Sequence, residues 1–397
     1  MNRDPLAGLV VIDLTRILSG PFCTMILADF GARVIKIESP EKGDDARMIG
    51  PFIKGQSAYF MSVNRGKQSV TLNLKAPEGR NLLKELMAGA DILVENYRPG
   101  TMEKWGLDYE KVRALNPRLI YASVSGFGQG GPYAKLPAYD IVVQGLSGLM
   151  SITGPEGGAP TRVGTSIGDI VPALFTTIGI MMALFHRSLS GEGQRLDIAM
   201  LDGLVAILEN AIARYQVNQE IPEPIGNRHP SITPFDSFVV RDGHIIVAVG
   251  NSKLFEDLCR VLEIPEVAKD IRFKENVDRH ENEKQLKSLL EQALSGYTQA
   301  EALTRLGQAG IPCAPINTID RVVEDPQVLA RQMVVEMEHP IAGILKLAGI
   351  PIKMSGTPGS IKKPAPILGQ DTEQVLKELL GKTQEDIEGL RRNHIIG

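Results

Sequence analysis

What this chain lacks narrows it before anything it contains. Of its 397 residues only three are cysteine, at Cys23, Cys259 and Cys313. They lie far apart and form no CxxC pair, which excludes a disulfide framework and a zinc ribbon. A reducing, cytoplasmic setting is expected, with the thiols held in cores. Histidine is also scarce: the six residues (186, 229, 244, 280, 339 and 394) show no paired spacing, and no metal site is expected. An excess of one charge is missing too, because 43 basic residues face 47 acidic ones for a net charge of −4. No basic field therefore points to nucleic acid or an anionic membrane surface. A long apolar run is lacking as well. The longest, residues 170–185 (IVPALFTTIGIMMALF), contains Pro172 and is closed by Asp169 and His186. It falls short of the ~20 residues that a spanning helix needs and reads as a buried helix. The first residues, MNRDPLAGLVVIDLT, lack a signal-peptide core and cleavage site.

What is present is ordinary for a folded enzyme: 43% hydrophobic and 23% charged residues, which exclude disorder, coiled coil and collagen. The 40 glycines exceed the usual share and favour tight strand–helix turns and close backbone approach to a ligand. The length suggests two domains or one large one.

The first 125 residues alternate between strand and helix. Apolar, β-branched runs at 9–14 (LVVIDL), 33–38 (RVIKIE), 69–74 (SVTLNL), 91–95 (DILVE) and 118–124 (RLIYASV) read as buried strands. Between them lie helical stretches, one with Pro21 in its first turn and Gly31 past its end, one opened by Pro77 and one opened by Asp108. Short buried strands alternating with helices predict βαβ units, so the fold class is α/β with a mostly parallel sheet. Residues 216–235 hold Pro222, Pro224, Pro230 and Pro234 without periodicity and read as a linker. Residues 236–325 mix short strands with amphipathic helices and predict a small second α/β domain, with 326–329 as the return linker. A final helix is expected after Asp371, with Gln374 completing a capping box.

Two motifs compete for attention. GFGQGG (126–131) fits the dinucleotide pattern GxGxxG and follows a strand, but Pro132 and PYAKLPAYD come next where a helix should open. It reads as a glycine-rich loop. GTSIG (164–168) fits GxSxG and a helix does follow, which would make Ser166 a hydrolase nucleophile. The segment before it, TRVG, is short and preceded by Pro160, a poor strand for a nucleophile elbow. Asp169 has two readings. Between Gly168 and the apolar helix, an aspartate is an ordinary N-cap. The same position meets the positive end of the helix dipole, which favours the ionised form, and a positioned carboxylate can attack an acyl group. Arg16, Lys75, Asn96, Tyr97 and Arg98 all follow predicted strands. That edge of an open parallel sheet is where ligands bind, and cations gathered there suit phosphate groups.

The runs LAGLVVIDLTRILSGPFCTMILADFGARVIKIE, NRGKQSVTLNLKAPEGR, ILVENYRPG, NPRLIYASVSGFGQGGP, GEGQRLDIAMLD, GNRHPSITPF and PILGQDTEQVLKELLG together resemble the family III coenzyme A transferases, among them formyl-CoA transferase and carnitine CoA-transferase. The likeness extends from about residue 6 to about 380 in consistent order. It implies a nucleophile at Asp169 and CoA contacts at Arg16, Leu72, Lys75, Asn96, Tyr97, Arg98, Lys104, Tyr139 and Asp140. It also implies a Rossmann-like large domain (1–215 and 330–397), a smaller α/β domain (236–325) and an interlocked homodimer. CoA and acyl-CoA would be substrates, a small carboxylic acid the partner, and no cofactor would be permanently bound. Two departures stand out. The basic residue that formyl-CoA transferase carries just after IKIE is Ser39 here, and its shielding glycine run has no counterpart in SITPFDSFVVRDGH. The loop that excludes water would then be 126–131 or the stretch near 226–236. Arg228 and His229 could meet a second carboxylate or anchor the linker. The same superfamily holds α-methylacyl-CoA racemases, whose catalytic His lies in a GHD segment. Here that segment reads Ala138, Tyr139, Asp140, and a phenol does not exchange protons near neutral pH as an imidazole does. The reading is therefore a CoA-transferase, with a racemase and a Ser166 hydrolase as alternatives. A CoA-binding module without turnover is the non-enzyme reading.

Overall fold

In the computed structural model, which describes residues 4–397, six parallel strands form the main sheet. They are β1 (Val10–Leu14), β2 (Arg33–Glu38), β3 (Gln68–Thr71), β4 (Ile92–Glu95), β5 (Ile120–Ser125) and β6 (Arg195–Ala199), laid side by side as β3-β2-β1-β4-β5-β6. This is the order of dinucleotide-binding folds, in which the chain reverses direction of growth between β1 and β4. The five strands expected from sequence are present. The sixth, RLDIA, was not anticipated, because its alternating charges and half-exposed edge position leave it no buried apolar run.

Helices cover both faces, and the pleat explains why. Ile12 and Leu14 point to the side of helix α2 (Pro77–Ala88), where Leu83, Met87 and the C-terminal Val375, Leu376 and Ile387 complete one core. Val11, one residue out of phase, faces the other core with Cys23 and Leu27 of α1 (Ser19–Asp29). Pro77 opens α2 at a position that needs no N–H, as expected. The C-terminal expectation was only half right. The helix Thr372–Leu380 has no capping box, since Asp371 instead accepts the Ser69 N–H at the start of β3 (2.9 Å). A further helix, Gln384–Arg392, follows it, and the capping box is there, between Thr383 and Asp386.

The long helix α4 (Ile167–Ser190) is apolar and long enough to cross a membrane by length and composition. One face, with Pro172, Ala173, Thr176, Ile180 and Ala183, is buried. The expected buried helix is thus corrected to a half-buried one, for Met182, Phe185 and Leu189 on the other side are 67%, 70% and 75% exposed.

The chain divides into two compact units, the first holding residues 1–150, 162–220 and 327–397, the second 151–161 and 221–326. The second unit has a three-stranded antiparallel sheet, Phe235–Val240 and Cys313–Pro315 flanking Gly243–Ala248. Helices Ser252–Val261, Glu283–Leu294 and Gln299–Gln308 bury Phe255, Leu290 and Leu306 against it. Residues 151–161, grouped here with the second unit, are assigned from sequence to the large domain, although Gly154, Pro155, Gly157, Gly158 and Pro160 mark a break there.

Candidate functional site

Over the carboxyl ends of β1, β2 and β3, beside the reversal point of the sheet, lies a cleft of about 480 Å³. Its lining includes Arg16, Ser39, Leu72, Lys75 and Tyr97. Four of the residues singled out from sequence are therefore brought together, with Ser39 beside them. Arg16 and Tyr97 meet directly: the guanidinium carbon lies 5.4 Å from the ring centroid, and the ring packs edge-on against Trp105 at 5.0 Å. The Arg16 guanidinium also contacts Asp45 at 2.8 Å, an exposed pair. Asn96 differs from expectation in one respect. Both ends of its amide engage the Arg16 backbone, Oδ1 accepting the N–H and Nδ2 donating to the carbonyl, each at 2.8 Å.

The other expected residues lie elsewhere. Arg98 lines a separate cavity of about 220 Å³ with Glu95, Tyr121 and Arg195. Lys104 is exposed on the short helix Thr101–Trp105. Tyr139, 73% exposed, and Asp140 stand at the start of helix α3 (Asp140–Leu146).

Beneath the cleft is a cluster of buried charges that sequence reading passed over. Lys67 and Asp13, both fully buried, pair at 2.9 Å. Lys36 and Asp44 pair at 2.7 Å. Arg47 and Glu38 pair at 2.7 Å. Burial works against each charge. It is outweighed at Asp13 by Lys67 and Lys36, which hold the carboxyl far below its usual range, and at Asp44 by Lys36 and two backbone N–H groups. The signal was visible: charged residues interrupt otherwise apolar strands in VVIDL and RVIKIE.

Asp169 is placed differently from a cap. Helix α4 begins after Ser166, and Asp169 is its third residue. Its neighbourhood is set by Asp140, whose Oδ1 accepts the Gly168 N–H at 2.9 Å while both its oxygens take the Gln144 amide. The Asp169 carboxylate itself accepts no hydrogen bond among the described residues. The expectation that the helix end keeps it ionised is corrected. Burial, joined by the Asp140 charge, pushes it up to about 7. A helix terminus contributes ~0.3–1 kcal/mol, less than one pH unit, which does not offset a rise of that size. The Tyr59 phenol, also missed from sequence, is pushed up to about 12 by burial and by the fields of Asp169, Asp44 and Asp140. It thus lies within electrostatic reach of both Asp169 and the cleft floor.

The competing motifs dissolve. GFGQGG is a loop, its Gln129 N–H held by Asp197 at 3.0 Å, and no helix follows. No strand leads into Ser166, so GTSIG is not a nucleophile elbow. Within the second unit Arg228 is already paired with Glu283 at 2.9 Å and Glu156 at 3.4 Å, which fits an anchoring role.

Fold and cleft define an α/β protein with an open cleft at the switch point of a parallel sheet. The description CoA-transferase family III matches residues 6–372, and the chain belongs to that family. It is a CoA-transferase, using CoA thioesters and carboxylic acids as substrates. Among its relatives, the acetyl-CoA:oxalate CoA-transferase of Acetobacter aceti is 45% identical over 95% of this chain and 96% of its own. The succinate–glutarate CoA-transferase of Agrobacterium fabrum is 41% identical over the same shares. A CAIB/BAIF family protein from Brucella suis superposes with a TM-score of 0.84 at 39% identity, covering 94% of this chain and 99% of the other.

Proposed function

We propose that the protein moves CoA from an acyl-CoA donor to a small carboxylic acid through covalent intermediates on Asp169. The observation that carries this reading is a carboxylate with no hydrogen-bond donor on it, in a site dry enough to push it up to about 7. No side-chain or backbone donor that would quench a nucleophile reaches the carboxylate among the described residues. One Asp169 oxygen attacks the donor thioester carbonyl, giving a mixed anhydride and CoA thiolate. The thiolate then attacks the Asp169 carboxyl carbon, forming an aspartyl-CoA thioester and releasing the donor acid. The acceptor carboxylate attacks that thioester carbon, CoA thiolate leaves again, and it attacks the acceptor's carbonyl to give the new acyl-CoA and free Asp169. No water enters, so the thioester's free energy is kept.

The cleft would hold CoA. Arg16 and Lys75 would take phosphate oxygens, the Arg16–Asp45 contact being exposed and therefore weak enough to exchange. Leu72 and Tyr97 would pack against the chain of the ligand, Asn96 would hold the Arg16 turn, and Arg98 and Lys104 would extend the cationic edge. Tyr139 and Asp140 border the acyl end, Asp140 by fixing Gly168. No resident cofactor is assigned. The named relatives act on oxalate, succinate and glutarate, and a small dicarboxylate is the acceptor class we assign here.

The working unit would be an interlocked cytoplasmic homodimer. The larger unit is left and re-entered by the chain, and the exposed apolar side of α4 would be covered by a second copy. Light scattering at twice 43.2 kDa under dilution checks this, and a folded monomer would contradict it. For the chemistry, hydroxylamine added with acyl-CoA should inactivate the enzyme and leave a hydroxamate at residue 169. Asp169→Asn should lower turnover by at least ~10³-fold with its fold intact; near wild-type turnover would falsify the mechanism.

A further inference from the structure

The turn that carries Arg16 is held from outside, by side chains of other elements. The Thr15 carbonyl accepts from Lys36 Nζ at 2.8 Å. The Ile17 N–H donates to Asp44 Oδ1 at 3.0 Å. Asn96 grips the Arg16 N–H and carbonyl between them. Lys36 and Asp44 are themselves joined at 2.7 Å, with side chains 0% and 1% exposed, so the outer two grips are the two ends of one ion pair.

The turn needs such support. Ile17 has φ of 67°, the left-handed region that a β-branched residue occupies only under constraint. Released, it would return to negative φ, and rotation at residue 17 would swing the neighbouring Arg16 away from its place over Tyr97. Such strain persists where the surroundings over-determine it, and the buried pair supplies that over-determination. Lys36 does not line the cleft, and Asp44, which does, has a side chain only 1% exposed and turned to Lys36 and to the Ile17 and Ala46 N–H groups, so its effect on a ligand passes through the turn.

We propose that the Lys36–Asp44 pair is a positioning device for CoA binding: it locks the Thr15–Ile17 turn in its left-handed form and so aims the Arg16 guanidinium at the ligand's phosphates. The inference rests on the assignment of Arg16 as a CoA contact.

A double-mutant cycle on the intact protein separates positioning from general stability, read as CoA affinity by titration calorimetry. In Asp44→Asn the amide NH2 and the Lys36 ammonium are both donors and cannot face each other, so the grip on Ile17 loosens. The substitution should weaken CoA binding about fivefold alone, and about fivefold again in a Lys75→Ala background. In an Arg16→Ala background it should change affinity less than about twofold, because the side chain it positions is gone. Equal losses in all backgrounds would overturn the positioning role while leaving Arg16 as a contact. An Arg16→Ala protein with unchanged affinity would overturn the contact itself and the proposal with it. Should Asp44→Asn fail to fold, Lys36→Met gives the same cycle from the other end of the pair, since it removes the donor to the Thr15 carbonyl. Loss of CoA affinity that vanishes with Arg16→Ala supports the proposal, and additive loss refutes it.

Discussion

Asp44 and Asp169 are both largely buried carboxylates at the start of helical segments in the same unit, and the fold treats them in opposite ways. Asp44 caps the turn at Asp45–Met48, takes two backbone N–H groups on one oxygen and faces Lys36 with the other. Burial would raise it, yet those partners hold it below its usual range. Asp169 has burial without partners, a second carboxylate beside it, and a pKa pushed up to about 7. Burial alone therefore says nothing about which state an acid prefers; the donors aimed at it decide. One arrangement holds a cleft floor still, and the other leaves a carboxylate uncompensated.

The paired side of this comparison breaks most severely. Lys67→Met keeps the length of the side chain but leaves Asp13 buried without its 2.9 Å partner. The expected loss is about 3–5 kcal/mol in unfolding free energy by denaturant titration. A loss below ~1 kcal/mol would mean the floor is not held by its ion pairs.

The unpartnered side should show in pH dependence. If Asp169 must be ionised to attack, kcat/KM should fall about tenfold per pH unit below about 7 and level off above it. Glu95, also pushed up to about 7 by burial, titrates over the same range. The limb must therefore survive in Glu95→Gln; its disappearance there would reassign it.

The smallest effect is on stability. Asp169 keeps its proton in the folded state up to about 7 but loses it near 3.8 when unfolded. Stability is therefore lost as pH rises between those values and is flat above. Asp169→Asn lacks this linkage, so its melting temperature relative to wild type should climb from pH 4 to pH 8. The gain corresponds to about 1–2 kcal/mol after allowance for solvent screening. A constant gap would show that Asp169 is not held in an unfavourable ionised state.

Much of the fold was written locally. Five of the sheet's strands could be read because each is a short, apolar, β-branched run buried on both faces, and Pro77 and Asp108 mark helix starts through their own backbone chemistry. The same local logic placed Arg16, Lys75 and Tyr97 at strand ends, whereas Leu72 came only from the family resemblance, and a parallel sheet necessarily gathers strand ends at one edge. Strand β6 escaped because a half-exposed edge strand has no such run, and the false capping box at Asp371 arose because that carboxylate serves β3 instead. What no local pattern could supply was pairing over long separations. Asp44 meets Ile17, Lys67 meets Asp13 and Asp140 meets Gly168 only after the chain has folded back on itself. Those meetings set which carboxylates are charged, because a charge depends on every dipole and ion around it rather than on its sequence neighbours. The sequence determined a parallel α/β sheet with a cationic edge and an aspartate at the mouth of a helix; tertiary packing alone decided that this aspartate would be left without a partner.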